Sequence, residues 1–203
     1  MTNDRAVRRS PRQGRSTERV AAILAAARHV LQSDDLGDVT VRRIAAHAGV
    51  TPASVYRYFS DVDEIVDHLL VEHAEASAAA VHRALGASTS RSVSGVFECV
   101  LRAFLTLYAD RPDLTIVWRS PALAERQRRH DAAADREIAG EIGQHLLGIG
   151  AIPEVTADLH DRLAAHFEVA GTLLGAVLRS EGPQRQVLET DLISLVRHLG
   201  SRY

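Results

Sequence analysis

Twenty residues from Thr40 to Phe59, TVRRIAAHAGVTPASVYRYF, constrain this chain more than any other stretch. Val41, Ile44, Ala45 and Ala48 fall at helical spacing on one apolar side. Thr40 stands where a hydroxyl can accept from an orphan N–H of the first turn. Gly49 follows at once and can take the left-handed conformation in which many helices end. Thr51 is the next cap, and Pro52 sits at the first helical position, where a missing N–H costs nothing. Val50, Val55 and Phe59 point to a core, which leaves Thr51, Pro52, Ala53, Ser54 and Tyr56 as a small, polar outer face. The pattern predicts a helix-turn-helix whose second helix is shaped for a DNA major groove. A packed helical hairpin of purely structural use has the same outline. The outer face has no long acid, however, and Arg42, Arg43, Arg57 and Tyr58 surround it, which favours DNA.

The T-V-R-x-I-A pattern, the A-G-V turn and the Y-R-Y-F ending resemble the DNA-binding domain of the tetracycline-repressor (TetR) family of bacterial regulators. The likeness in motif covers about residues 17 to 70 and beyond that is architectural. It implies a cytoplasmic homodimer on a palindromic double-stranded DNA operator, usually a repressor released by a small-molecule effector, here unknown, with no cofactor. The residues it implicates at DNA are Thr40, Arg42, Arg43, Thr51, Pro52, Ala53, Ser54, Tyr56, Arg57 and Tyr58. Arg42 matches the position that can reach a guanine edge, whereas Thr40, Tyr56 and Tyr58 match phosphate contacts. Family members often carry a lysine near the start of the fourth helix. Here that place is Val62 between Asp61 and Asp63, and two carboxylates repel a DNA backbone.

Charge is divided along the chain. Residues 1–60 hold ten arginines against five acids, and residues 61–203 hold fourteen against twenty-one, so +5 and −7 give the net −2. A basic head on an acidic body fits a nucleic-acid-binding protein. No lysine is present, which also fits a GC-rich coding sequence. Residues 1–15, with Arg5, Arg8, Arg9, Arg12 and Arg15, have no apolar period and read as a disordered arm. Such an arm either enters a minor groove or adds only non-specific attraction. A first helix should start at Ser16 or Thr17, with Asp34 to Asp38 as the loop after it. Ser60 should cap the fourth helix. The head is thus placed at 16–60 and the body at 61–203, with the loop Gly86 to Arg91 the best break in the chain. In family terms the fourth helix links head to body and would carry a ligand signal. The single cysteine, Cys99, suits a reducing cytoplasm. No apolar run is long enough for a membrane span, and the N-terminus has no apolar signal region.

The body reads as helices throughout, giving an all-α chain of about nine helices: a three-helix helix-turn-helix head and a C-terminal helical bundle. Phe97, Leu101, Phe104, Tyr108, Trp118 and Phe167 read one by one as core, but the resemblance places them on helices that enclose the family's effector cavity, where they would form its wall with Arg119 and His145 as polar fixtures. Arg102, His166 and Glu168 are further candidates for that role. In the last two helices, Leu163, Phe167, Gly171, Leu174, Gly175, Leu188, Leu192, Leu195 and Leu199 form an apolar and small-residue seam. The seam resembles the family's dimerisation pair, a four-helix interface across a two-fold axis. No metal motif and no catalytic constellation are legible. Glu141 with His145, or His68 with Glu72, offers at most two ligands. The chain is therefore read as a ligand-responsive DNA-binding regulator and not an enzyme. A regulator controlled by a protein partner or by abundance is the alternative. A helical enzyme or binding protein that has lost DNA function is a more distant one.

Overall fold

A computed structural model of the protein describes residues 11–33, 39–119 and 121–203. Among these residues there are nine α-helices and no strand, in agreement with the all-α reading. They are α1 (Pro11–Ser33), α2 (Val41–His47), α3 (Pro52–Tyr56), α4 (Val62–Ala87), α5 (Val93–Asp110), α6 (Ile116–Arg119), α7 (Pro121–Gly148), α8 (Ala157–Arg179) and α9 (Gly182–Gly200). A 3-10 turn, Pro112–Thr115, precedes α6. No described helix is long and apolar enough to cross a membrane.

Local chemistry fixes the ends. Ser92 and Thr156 accept from the N–H groups of Gly95 and Leu159 at 3.2 and 3.1 Å, and so start α5 and α8. The chain is already helical at Pro11, the first described residue, and not only from Ser16 or Thr17, so residues 11–15 are helical and not part of a disordered arm. The rest of the expected arm, residues 1–10, and the expected loop at 34–38 lie outside the described residues. At α4 the cap is Asp61, one residue beyond the expected Ser60. Its Oδ1 accepts from the Glu64 N–H at 2.8 Å, while Glu64 Oε2 accepts from the Ser60 N–H at 2.6 Å. Serine and aspartate are about equally good caps, so the bonds and not the residue types distinguish the two neighbours. The Ser60 N–H in turn holds the Glu64 carboxyl below its ordinary range.

The chain divides into two compact units between Leu69 and Leu70, inside α4. Neither the 60/61 boundary nor the 86–91 loop marks the division. The first turns of α4 bury Ile65, Val66 and Leu69. The Phe59 and His68 rings meet edge to face at 5.4 Å, so the head includes the start of this helix. Elsewhere in the head, Ile23, Ala27 and Val30 of α1, Ile44 and Ala45 of α2, and Val55 and Phe59 are all buried.

The body has its own core. Val96, Val100 and Phe104 of α5 join Ile142 and Leu146 of α7, Leu163 and Val177 of α8, and Leu192 and Val196 of α9. The approach of α5 to α9 is especially close. A Cβ on buried Gly200 would lie 2.5 Å from the Ser94 Cα, and Ser94 Oγ donates to the Arg197 carbonyl at 2.7 Å. Glu98 reinforces this pair by accepting from Arg197 Nε at 2.6 Å and from Arg102 at 2.7 Å. Those hydrogen bonds, from Arg197 first and Arg102 second, hold its carboxyl well down, at about 2.

Candidate nucleic-acid interface and effector cavity

The helix-turn-helix is built by three local devices. Thr40 Oγ1 accepts from the Arg43 N–H at 3.3 Å and opens α2. Gly49, at φ 64°, then closes it. The Val50 N–H reaches the Ala45 carbonyl at 3.0 Å and the Gly49 N–H reaches Ala46 at 3.3 Å, the paired bonds of a left-handed helix stop. Thr51 Oγ1 accepts from the Ser54 N–H at 3.2 Å and starts α3 with Pro52 in its first position. Because both threonines spend an acceptor on capping, their hydroxyl protons remain to be donated outward.

Burial sorts the two faces of the unit. Ile44, Val55 and Phe59 are buried, whereas Thr40, Arg42, Arg43, Thr51, Pro52, Ala53, Tyr56 and Arg57 are exposed. Ser54 and Tyr58 are half-buried. Tyr56 is the most telling, since a large aromatic ring stands 58% exposed beside the small outer face. The Arg57 guanidinium lies over the Tyr58 ring at 5.9 Å, which braces both at the end of the unit. All ten residues expected at DNA belong to this unit, and none is fully buried.

In the body a cavity of about 500 Å³ opens among α4, α5, α6, α7, α8 and α9. Phe97, Leu101, Phe104, Tyr108, Trp118 and Phe167 all line it. The Phe104 and Phe167 rings pack edge to face at 5.6 Å along its wall. Arg119 and His145, expected as its polar fixtures, do not line it. Arg119 instead donates to the Leu178 carbonyl at 3.4 Å, and His145 buries an unpartnered Nε2 elsewhere. Arg102 is likewise turned to Glu98, while His166 and Glu168 do reach the cavity.

The cavity's polar end combines Tyr108 and Trp118, expected on its wall, with His73 and Ser77 of α4, which were not among the candidates. Trp118 Nε1–H donates to Tyr108 Oη at 3.0 Å, and Tyr108 Oη lies 2.7 Å from His73 Nε2. Burial pushes the His73 imidazole down to about 4, so it is neutral near pH 7. Ser77 lies one turn further along α4, and both residues are buried and line the cavity. The signal was present as a histidine and a serine four residues apart within the apolar stripe of α4.

Residues 23–69 match the profile of the family described as "Bacterial regulatory proteins, tetR family". That stretch is a TetR-family DNA-binding domain, and the chain is accordingly a DNA-binding transcriptional regulator of the helix-turn-helix class. Its fold is similar to that of a TetR-family regulator from Syntrophomonas wolfei, at TM-score 0.68 and 14% identity, over 92% of this chain and 94% of that one. A TetR-family regulator from Streptomyces coelicolor gives TM-score 0.64 at 22% identity, over 91% and 98% of the two chains. The fatty acid degradation regulator FadR from Bacillus halodurans gives 0.63 at 17% identity, over 90% and 93%. A comparison with curated proteins found no significant relative.

The expected TetR-type dimer seam separates into two sets. Leu163, Leu174, Gly175 and Leu192 are buried within the chain itself. Phe167, Gly171, Leu188, Leu195 and Leu199 are half-buried. Gly175 needs correction as a helix–helix contact between subunits. A Cβ there would meet Trp118 Cε3 of the same chain at 2.7 Å, so the glycine makes room for the indole. Gly171 lies along the same ring, 3.7 Å from Trp118 Cη2. Helical spacing could not separate the two uses, because small residues admit an indole as readily as a second helix. The outward apolar side chains of these helices are Val169 and Val187, 49% and 59% exposed.

Proposed function

We propose that the chain is a homodimeric repressor that holds a palindromic operator through α2 and α3 and releases it when a small molecule enters the body cavity. The observation that carries this reading is the coexistence, in one chain, of an exposed hydroxyl- and arginine-bearing helix-turn-helix with a separate apolar cavity having a polar end. Arg42 reads a guanine edge through its two-pronged guanidinium, while Thr40, Tyr56 and Tyr58 hold phosphates. Thr51, Pro52, Ala53 and Ser54 form the groove-facing start of α3, with Arg43 and Arg57 adding backbone attraction. Exposed Val169 of α8 and Val187 of α9 support a partner on that side, joined by the half-buried Leu188 and Leu195. A cavity of this size is ordinary for a small-molecule site, which favours a ligand over control by abundance alone.

The deciding experiment selects genomic fragments bound by the full chain and reads the sequence they share. An inverted repeat is expected, with half-site centres about 34–36 Å apart along the duplex or at a multiple of that spacing. Sedimentation should give a dimer both free and on that DNA. Binding to a single, unrepeated half-site by a monomer refutes the two-headed mechanism.

A further inference from the structure

We propose, on the basis of the effector-cavity reading above, that Gly175 is a specificity-determining residue which sets the size of ligand the cavity accepts. It acts from behind the wall, by seating the Trp118 indole against α8 instead of inside the cavity. Trp118 and Gly171 line the cavity, whereas Gly175 is buried and does not.

The two glycines stand one helical turn apart and form a notch for the benzenoid edge of the indole. A Cβ at Gly175 would lie 2.7 Å from Trp118 Cε3 and 3.2 Å from Cζ3, and one at Gly171 would lie 3.7 Å from Cη2. Trp118 is held at two further points. Its carbonyl accepts from Arg179 Nη1 at 3.0 Å, one turn beyond Gly175, and its Nε1–H donates to Tyr108 Oη at 3.0 Å. The ring therefore keeps a fixed pose, with a glycine behind it and the cavity beside it.

A side chain at position 175 changes that pose in one direction. Ordinary contact begins at 3.4 Å, so a methyl group there requires the ring edge to retreat by about 0.7 Å, the difference from 2.7 Å. The His73 and Tyr108 rings already stand edge to face with the indole, at 6.1 and 6.5 Å between centroids. Packed atoms resist such a shift, and empty space does not. The indole therefore yields into the cavity of about 500 Å³ and makes it smaller. Phe97, Leu101, Phe104 and Phe167 make much of the wall apolar, so a ligand gains affinity with each apolar group it buries until the space is filled. Beyond that point overlap rejects it, and selection is by size.

The test is a series of neutral probes, the 1-alkanols from 1-hexanol to 1-tetradecanol, titrated calorimetrically into the full chain. On the wild type, affinity should rise about fourfold per added methylene up to the largest alcohol that fits, and then stop rising. Gly175→Ala should lower that limit by about one methylene while shorter alcohols bind as before. Trp118→Phe lacks the outer edge of the indole and should raise the limit. The double variant should keep the limit of Trp118→Phe, because no ring edge remains for the new methyl group to displace; this comparison decides even where Gly175→Ala alone is too unstable to titrate. Affinity that climbs through the whole series on the wild type, a limit unmoved by Gly175→Ala or by Trp118→Phe, or a lower limit in the double variant than in Trp118→Phe would each overturn the role of Gly175 and leave the cavity reading standing. If no alcohol binds to the folded, DNA-binding wild type, the cavity is not a ligand site and both readings fall.

Discussion

Replacing Gly175 with alanine tests the packing of the body directly, because two opposed effects can be weighed on the structure. In a helix interior the change gains about 0.8–1.0 kcal/mol of backbone propensity. Against this, the new Cβ would sit 2.7 Å from Trp118 Cε3, 3.2 Å from Cζ3 and 3.1 Å from an Arg179 guanidinium nitrogen. The arginine end can swing aside, but the indole is tied to Tyr108 and cannot move without straining that 3.0 Å hydrogen bond. Overfilling a packed site costs about 1–3 kcal/mol, and a weakened hydrogen bond adds about 1 kcal/mol. The net expectation is a loss of about 1–3 kcal/mol with a shifted Trp118 emission spectrum. Gly171→Ala is the internal control, since its Cβ would lie at an ordinary 3.7 Å from the same ring. That variant should be neutral or gain up to about 1 kcal/mol. Urea unfolding of both variants, followed by tryptophan emission and by circular dichroism, gives the two stabilities and the state of the indole. Equal stability changes with an unshifted spectrum would refute the packing account. A Gly175→Ala variant that dissociates in sedimentation while Trp118 is unperturbed would return this glycine to the subunit interface.

Two further outcomes follow from charge and hydrogen bonding. His73, held near 4 by burial against about 6.5 when unfolded, gives stability that is full above pH 6.5 and declines below it, because there only the unfolded chain takes up the proton. Between about pH 7.5 and 5.5 the loss should be about 1.4 kcal/mol, read as the difference in pH slope between the wild type and His73→Asn in urea titrations; parallel slopes would mean that the imidazole titrates normally in the folded chain. Arg42→Ala should weaken operator binding by about 1–3 kcal/mol and relax preference at one base position per half-site, measured by anisotropy against single-base operator variants. Equal weakening on every variant would make Arg42 a phosphate contact.

Much of the head was legible because its structure is set by neighbours in sequence. Caps at Thr40 and Thr51, a positive φ at Gly49 and proline at the start of α3 are decided within a few residues, so spacing alone places them. The same locality made the helices of the body and the apolar periodicity of α5 and α8 readable. Local signals misplaced the cap of α4 by one residue, since Ser60 and Asp61 compete and only the observed bonds choose between them.

What the tertiary structure alone decided is the partner of each buried side chain. Periodicity says that Gly175, Leu163 and Leu174 face something apolar; it cannot say whether that is an indole of the same chain or a second subunit. The six aromatic and leucine candidates came out as cavity wall because α5, α6 and α8 bring them together, whereas Arg119 and His145 turned elsewhere by rotations that a sequence does not record. His73 and Ser77 show the limit most clearly. On the helix they are two polar residues in an apolar stripe, and only the approach of Tyr108 and Trp118 from other helices makes them the polar end of a cavity. Short-range hydrogen bonding fixes elements from sequence; long-range packing, in which residues 35 or more positions apart become neighbours, fixes the site.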